Sequence, residues 1–387
     1  VLDQLLNGFQ KTDLIIIGAR PGMGKGLALS EDLLTPDGWI KMKDVRVGNM
    51  LIGSDGKPYP VTGVYPQGIK QTFRVMFDDG TSVVCDDTHL WYTQTRADRK
   101  IKGMRKGTVK TILEIKDTLK KGVRKNHSIP FIKPFELQEQ ATKIDPYLLG
   151  ILIGDGCTRT NPVLISNPEP DIIEKIKTFL PEGYSLTVGS DGLNHRIRTN
   201  GNDKFLKFIP ELSGKYSYDK EIPSEYLSNS IHNRIKLMQG LMDTDGNVTD
   251  KKSPWVEYTT TSPRLTMQVA DLVRGLGGRC SYKMYKGKYS KNGEITETRY
   301  YYRLLIAFSN GIVPVSSKKH LAKYIPKRYS QKFITDVVDN GFEETQCISV
   351  GSPDNLFVTT GTTLTHNTAF IMQSAKEIAK RKIPVGI

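Results

Sequence analysis

Three consecutive residues toward one end of the chain, His366-Asn367-Thr368, have the makings of a self-cleaving junction. The Asn367 side-chain amide can attack its own main-chain carbonyl, close a succinimide and release whatever follows. The imidazole before it, His366, can give the leaving group a proton. Thr368 places a hydroxyl nucleophile on the downstream side. Toward the other end, Ala19-Arg20-Pro21-Gly22-Met23-Gly24-Lys25 follows the apolar run Leu14–Ile17, the order of a phosphate-binding loop. Gly22 and Gly24 let backbone N–H groups face phosphate oxygens, and Lys25 reaches the terminal phosphates. The loop then needs a Ser or Thr hydroxyl for Mg2+, but position 26 is Gly. Thr368 heads a run of good helix formers through Lys380, so joining Lys25 to Thr368 restores both the hydroxyl and the strand–loop–helix order. The two ends read as one motif, interrupted.

The elements that must position these groups are legible in part. Phe77-Asp78-Asp79-Gly80-Thr81 leads into Val83–Trp91, an Asp-Gly hairpin that carries His89 and Trp91 beyond its second strand. Glu344–Val350 and Asp354–Val358 read as strands around a turn at Gly351-Ser352-Pro353, with Cys347 on the first. Between these regions lies an internal repeat: Leu148–Gly156 and Met238–Gly246 share a pattern and end in Asp155 and Asp245. Gly150, Gly154, Gly240 and Thr244 recur at helical spacing, which predicts two closely packed helices. Each copy continues into a second helical stretch, Asp171–Phe179 and Leu265–Arg274, the latter closed by glycines. The basic, Tyr-rich runs Lys283–Tyr289 and Arg299–Arg303 read as strands.

Composition agrees with a nucleic-acid partner. The chain has 387 residues, enough for two or three folded units, and Lys and Arg outnumber Asp and Glu by 55 to 41. No apolar run nears the ~18 residues of a membrane span, and no signal peptide is expected. The four cysteines (Cys85, Cys157, Cys280, Cys347) form neither a disulfide framework nor a CxxC metal site, which fits a reducing cytoplasm.

On the His-Asn-Thr end and the interrupted loop, residues 26–367 resemble an intein, a self-excising insert. The flanks, 1–25 and 368–387, resemble the nucleotide-binding segment of a DnaB-type replicative helicase and are too short for a RecA-like ATPase domain, so a precursor fragment is expected. The resemblance implies a mostly β HINT (Hedgehog/intein) splicing domain, built from 26–137 and 331–367. It is interrupted at 138–330 by an α/β LAGLIDADG endonuclease domain of two pseudo-symmetric repeats. Gly26 has no nucleophile, and one intein class lacks the first-position nucleophile and carries Trp, Cys and Thr at set motif positions. Trp91, Cys347 and Thr368 match that set.

The same resemblance assigns roles. Cys347 attacks the Lys25 carbonyl at the Lys25-Gly26 junction, Thr368 takes the acyl group, and Asn367 cyclises with help from His366. His89 polarises the upstream amide and is the implied proton donor to its leaving nitrogen. The family usually has Thr three residues before that His, where this chain has Asp86, and Asn355 stands where many relatives have His. In the endonuclease, Asp155 and Asp245 are the implied Mg2+ ligands and Lys220 the implied basic residue beside them. Splicing needs no cofactor. The spliced host would bind ATP and Mg2+ through Gly22, Gly24, Lys25 and Thr368, and would be hexameric with the rest of its sequence. Double-stranded DNA is the expected partner, with no membrane. Two other readings stay open: a DNA endonuclease with a splicing-inactive remnant, and a P-loop NTPase with an inert insertion. The stretch from Arg96 to Lys125 is either an ordered loop or a DNA-binding arm.

Overall fold

The computed structural model describes residues 25–366 except 102–106, 122–123, 191, 200, 202–203, 251, 292–293 and 328–330. Gly22, Gly24, Asn367 and Thr368 lie outside the described residues. Two hydrophobic cores organise the chain. An outer, mostly β domain has a core running from Leu27 to Phe135 and again from Ile334 to Leu364. An inner α/β domain has its own core between Ile144 and Val315.

The outer domain is dominated by two 20-residue antiparallel strands, Pro58–Phe77 and Gln331–Val350. Their length comes from alternating or continuous β-branched and aromatic residues, and glycine-containing irregularities bend them. The short strand Leu27–Ala28 lies between Gln331–Val350 and Ser82–Asp86. A second sheet places Thr363–His366 beside Leu356–Thr359, then Asp32–Thr35 and Gly38–Lys41. Asn355 sits in the turn ahead of Leu356 with φ at +59°, a backbone state that Asn tolerates better than most residues. In the Arg96–Lys125 stretch, strand Thr108–Thr111 pairs with Leu90–Thr93, and helix Ile112–Asp117 buries Ile112 and Ile115, its N-terminus closed by a Thr111–Glu114 capping box. The described part of that stretch is folded onto the outer domain.

The inner domain repeats one plan. Helix Pro146–Gly154 precedes a sheet in which the strand after the helix, 156–157, leads the order, followed by 164–166, 194–199 and 184–188. Helix Ile231–Thr244 precedes a sheet of the same order: 246–248, 256–260, 294–307 and 279–291. The second helix of each half, Pro170–Phe179 or Pro263–Gly275, follows its second strand. The first helices pack along their small residues. A Cβ on Gly150 would stand 2.6 Å from the Leu237 carbonyl oxygen and 2.8 Å from Gly240 Cα; one on Gly240 would stand 2.2 Å from the Tyr147 carbonyl oxygen.

Charge joins the two domains at the outer hairpin turn. Asp78 meets Arg279 of the inner domain at 2.9 Å, and Asp79 lies 3.9 Å from Arg274 and 3.2 Å from the buried Lys332. Lys332 also donates to the Gly361 carbonyl and to Thr363 Oγ1, beside the strand that ends in His366. Among the described residues, no helix is long and apolar enough to cross a membrane.

Backbone sits where a Gly150 methyl group would go, so Gly150→Ala should force the two helices apart. We expect it to destabilise the inner domain by about 1–3 kcal/mol, read as a lower urea midpoint for that domain.

Candidate functional site

Strand register brings the first junction together. Leu27 stands opposite Gln346 on one side and Cys85 on the other, and Ala28 stands opposite Thr345. The pairing ends at Leu27, and Gly26 and Cys347 are the next residue along each strand. Cys347 is buried, and burial lowers the Lys25 ammonium from its ordinary value, partly offset by the charge interaction with Cys347. Cys85, on the other neighbour, is a contrast: burial pushes its thiol well above the usual range, which makes it a poor nucleophile.

The peptide group between Lys25 and Gly26 is gripped at both ends. His89 Nδ1 lies 2.7 Å from the Lys25 carbonyl oxygen. The Gly26 N–H donates to Asp86 Oδ2 at 2.6 Å, and the Lys25 N–H reaches both Asp86 oxygens at 3.2 and 3.1 Å. The Asp86 N–H returns a bond to the Gly26 carbonyl at 2.9 Å. Lys25 itself has φ at +95°, a left-handed state that costs a non-glycine residue about 1–3 kcal/mol and persists only where surroundings impose it.

His89 is buried, and burial lowers its pKa, so the ring is neutral near pH 7. A carbonyl oxygen only accepts, so Nδ1 carries the proton. Nε2 is then the acceptor, and Thr365 Oγ1, 2.5 Å away, is its donor. Thr365 precedes His366 on the strand Thr363–His366, so the same imidazole touches both the upstream junction and the strand leading to the downstream one. Trp91 is fully buried with its ring edge-on to His89 at 5.5 Å, which limits how the imidazole can turn.

His89 lies on the carbonyl oxygen of the amide it is expected to polarise, and Asp86 lies at the nitrogen. The physical reason is the intact amide, whose nitrogen lone pair is delocalised: a donating imidazole N–H goes to the carbonyl oxygen, and the two N–H groups go to a carboxylate acceptor. Asp86 is also the residue that motif reading passed over, although its departure from the usual Thr was the available signal. The described part of the downstream junction ends at His366, which is buried and opposite Leu356.

In the inner domain, the helix pair brings Asp155 and Asp245 to the same end, each at the C-cap of its helix. Asp155 accepts from Asn167 Nδ2 at 2.6 Å. Burial and then the Asp155 charge push Asp245 up to about 6, opposed by Lys220. Burial likewise brings Lys220 down to about 8, although Asp245, Cys157 and Asp155 favour its charge. Its ammonium is held by the carbonyls of Leu152, Ile153 and Gly156 at 2.9, 2.7 and 2.6 Å. All three expected residues thus lie within electrostatic reach of one another. Two mutually repelling carboxylates suit a hard divalent cation whose remaining ligands are water and phosphate oxygens. Among the described residues, no group of three or more His, Cys, Asp or Glu gathers for a metal. In the second sheet of the inner domain, the cross-strand pair Tyr285 and Tyr301 stacks at 5.4 Å on one face, and the next pair places Lys286 over Tyr300 at 4.4 Å on the other, with Tyr282, Tyr285 and Tyr300 exposed.

A Cβ at Gly26 would lie 2.8 Å from both Cβ and Oγ1 of Thr345, and 3.2 Å from Asp86 Oδ2. Gly26→Ala is therefore expected to slow thiol-induced release of the upstream flank about tenfold, with Thr345→Gly in the same chain restoring part of the rate. Timed gels of the single and double variants check the coupling.

Residues 221–328 match the family model of homing endonucleases. Over 374 residues, 91% of this chain, the sequence is 33% identical to the replicative DNA helicase DnaB of Mycobacterium intracellulare. The chain spans 60% of the length of that curated relative. It is 41% identical over 93 residues, 24% of this chain and 15% of the relative, to the DnaB of Mycobacterium leprae (strain TN). Among solved structures, the MchDnaB-1 intein is 34% identical, covering 25% of this chain and 62% of its own, with a TM-score of 0.19. A variant of the gp41-1 intein covers 89% of this chain and 100% of its own at 12% identity, with a TM-score of 0.28. The chain is thus similar in sequence to DnaB proteins of mycobacteria and to a DnaB intein, and residues 221–328 match homing endonucleases.

Proposed function

We propose that the chain splices itself out by the route of the class that lacks a first-position nucleophile. The observation that supports this most is the Lys25-Gly26 peptide held between His89 and Asp86, one register step from Cys347. The Cys347 sulfur attacks the Lys25 carbonyl carbon. His89 Nδ1–H steadies the charge that develops on oxygen, and the C–N bond to Gly26 breaks, leaving a branched thioester. Thr368 Oγ displaces the sulfur and carries the acyl group as an ester. Asn367 cyclises with His366 assisting, which frees the intein with a C-terminal succinimide. The ester then shifts from oxygen to nitrogen, and Lys25 and Thr368 share an ordinary peptide bond. In a reducing cytoplasm Cys347 stays a thiol, as the first step requires.

The inner domain is proposed to cut double-stranded DNA as a LAGLIDADG-type nuclease, with the tyrosine- and lysine-bearing sheet face against the duplex. Asp155 and Asp245 would hold Mg2+, which supplies charge neutralisation at the phosphodiester. Lys220 is proposed to steady the carboxylate pair. After ligation, Gly22, Gly24, Lys25 and Thr368 would rebuild the phosphate-binding loop, where ATP with Mg2+ serves a hexameric host helicase.

Cys347→Ala is expected to abolish ligated flanks, measured by mass spectrometry of the purified chain; continued ligation would remove the proposed nucleophile and favour another attacking group. Separately, Asp245→Asn should cut cleavage of a duplex-target library by on the order of a hundredfold or more while ligation proceeds at the parent rate. A nuclease that cuts equally well with Asn at 245 contradicts the two-carboxylate site.

A further inference from the structure

We propose that Asp86 is a catalytic carboxylate of the first acyl transfer, holding the departing Gly26 nitrogen as an ammonium ion so that it cannot return to the thioester. This deepens the splicing reading above and rests on it.

The thermodynamic difficulty of that first step is its reverse reaction. An amide is more stable than a thioester, and the released amine sits within bonding distance of the new acyl carbon. Whatever removes the lone pair from that amine favours the branched product. The balance is simple: a C–S bond forms, the C–N bond breaks, and the thiol proton ends on the Gly26 nitrogen. A second proton, from solvent, makes the ammonium, which is not a nucleophile. An ordinary α-amino group has a pKa of about 7.7–8.0, so near neutral pH it is a mixture of both forms. A carboxylate in contact favours the charged form, and each unit of upward shift lowers the free amine about tenfold at a given pH above the ordinary value.

Asp86 is built for that contact. Its side chain is fully buried, and its Oδ2 is 2.6 Å from the nitrogen that leaves. Its other oxygen is occupied by the Thr88 N–H and hydroxyl, at 3.1 and 3.0 Å, which fixes the orientation. Its own N–H is tied to the Gly26 carbonyl at 2.9 Å, so carboxylate and departing residue stay in register while the bond upstream of Gly26 breaks. Lys70 Nζ, 3.9 Å from Oδ2, is the one cation in ion-pair range of Asp86 among the described residues, and it is partly exposed. A Thr at this position could accept the N–H bond but would carry no charge for the ammonium.

The full chain carrying Asn367→Ala and Thr368→Ala would stop at the thioester and serve as the parent for the test. The branched fraction is measured on non-reducing gels and by intact mass between pH 6 and 9, with Asp86→Asn and Asp86→Thr added in turn. Both keep an acceptor for the N–H and remove the charge. The expected result is a branched fraction about tenfold lower at pH 8 in either variant, with the deficit shrinking toward pH 6, where the amine is protonated without help. A branched fraction equal to the parent across the range overturns the proposal. So does a deficit of the same size at every pH, which is what a purely positional contact gives. Cys347→Ala in the same parent separates the two levels. If it leaves the branch intact, the splicing reading falls and Asp86 with it. If it abolishes the branch while both Asp86 variants match the parent, only the role of Asp86 falls.

Discussion

The two-residue strand Leu27–Ala28, held between Gln331–Val350 and Ser82–Asp86, is the constraint on which the rest depends. Its pairing sets which groups flank Gly26: the Cys347 strand on one side, the Asp86 carboxylate on the other. Side chains alternate faces with a period of two, so a slip of one residue would exchange every one of these neighbours. The Lys25-Gly26 peptide, the bond proposed to break, is therefore located by hydrogen-bond register. The strained Lys25 backbone and the absence of room for a side chain at Gly26 follow from the same close approach. An ordinary first-position nucleophile would need the space that Thr345 and Asp86 fill.

The inner domain is inserted where it disturbs this register least. The chain leaves the outer sheet after strand Ser128–Pro130 and returns to it at Gln331, and those two segments pair with each other, Pro130 opposite Gln331. Entry and exit are thus neighbours, and loop-closure entropy grows only slowly with the length of what lies between them. Ion pairs at Asp78 and Asp79 cross the boundary, together with a backbone hydrogen bond from Phe135 to Gly275 and one from Arg234 to the Phe135 carbonyl. Lys332, buried beside Asp79, links that turn to the residues next to the His366 strand. Within the inner domain the glycine seam does a comparable job: it lets two helices approach until their terminal carboxylates repel, and burial keeps that repulsion strong.

Much of this was legible beforehand because it depends on local pattern. The strands around Cys347, the Asp-Gly hairpin and the four inner helices follow from periodicity, turn residues and small-residue spacing, and the structure forms each of them. The motif order also brought an intein with a nested endonuclease into view before any coordinates. What could not be read was which atom of the junction each side chain would meet. His89 on the oxygen and Asp86 on the nitrogen is a matter of ångströms between residues about 60 apart in sequence. The folding of the Arg96–Lys125 stretch was equally open, since its basic composition suits an arm as well as a packed helix and strand.

By itself, then, the sequence determined the chemistry in stock: a thiol, an imidazole, an amide able to cyclise, paired acids, and a glycine where a nucleophile usually stands. Covalent identity and short-range pattern are local properties, carried by each residue wherever it lies. Only the tertiary structure decided who faces whom. Long-range strand pairing chooses between registers a residue apart, and burial decides which protonation state each group keeps. Those are properties of the packed chain, and the roles at Lys25-Gly26 come from them.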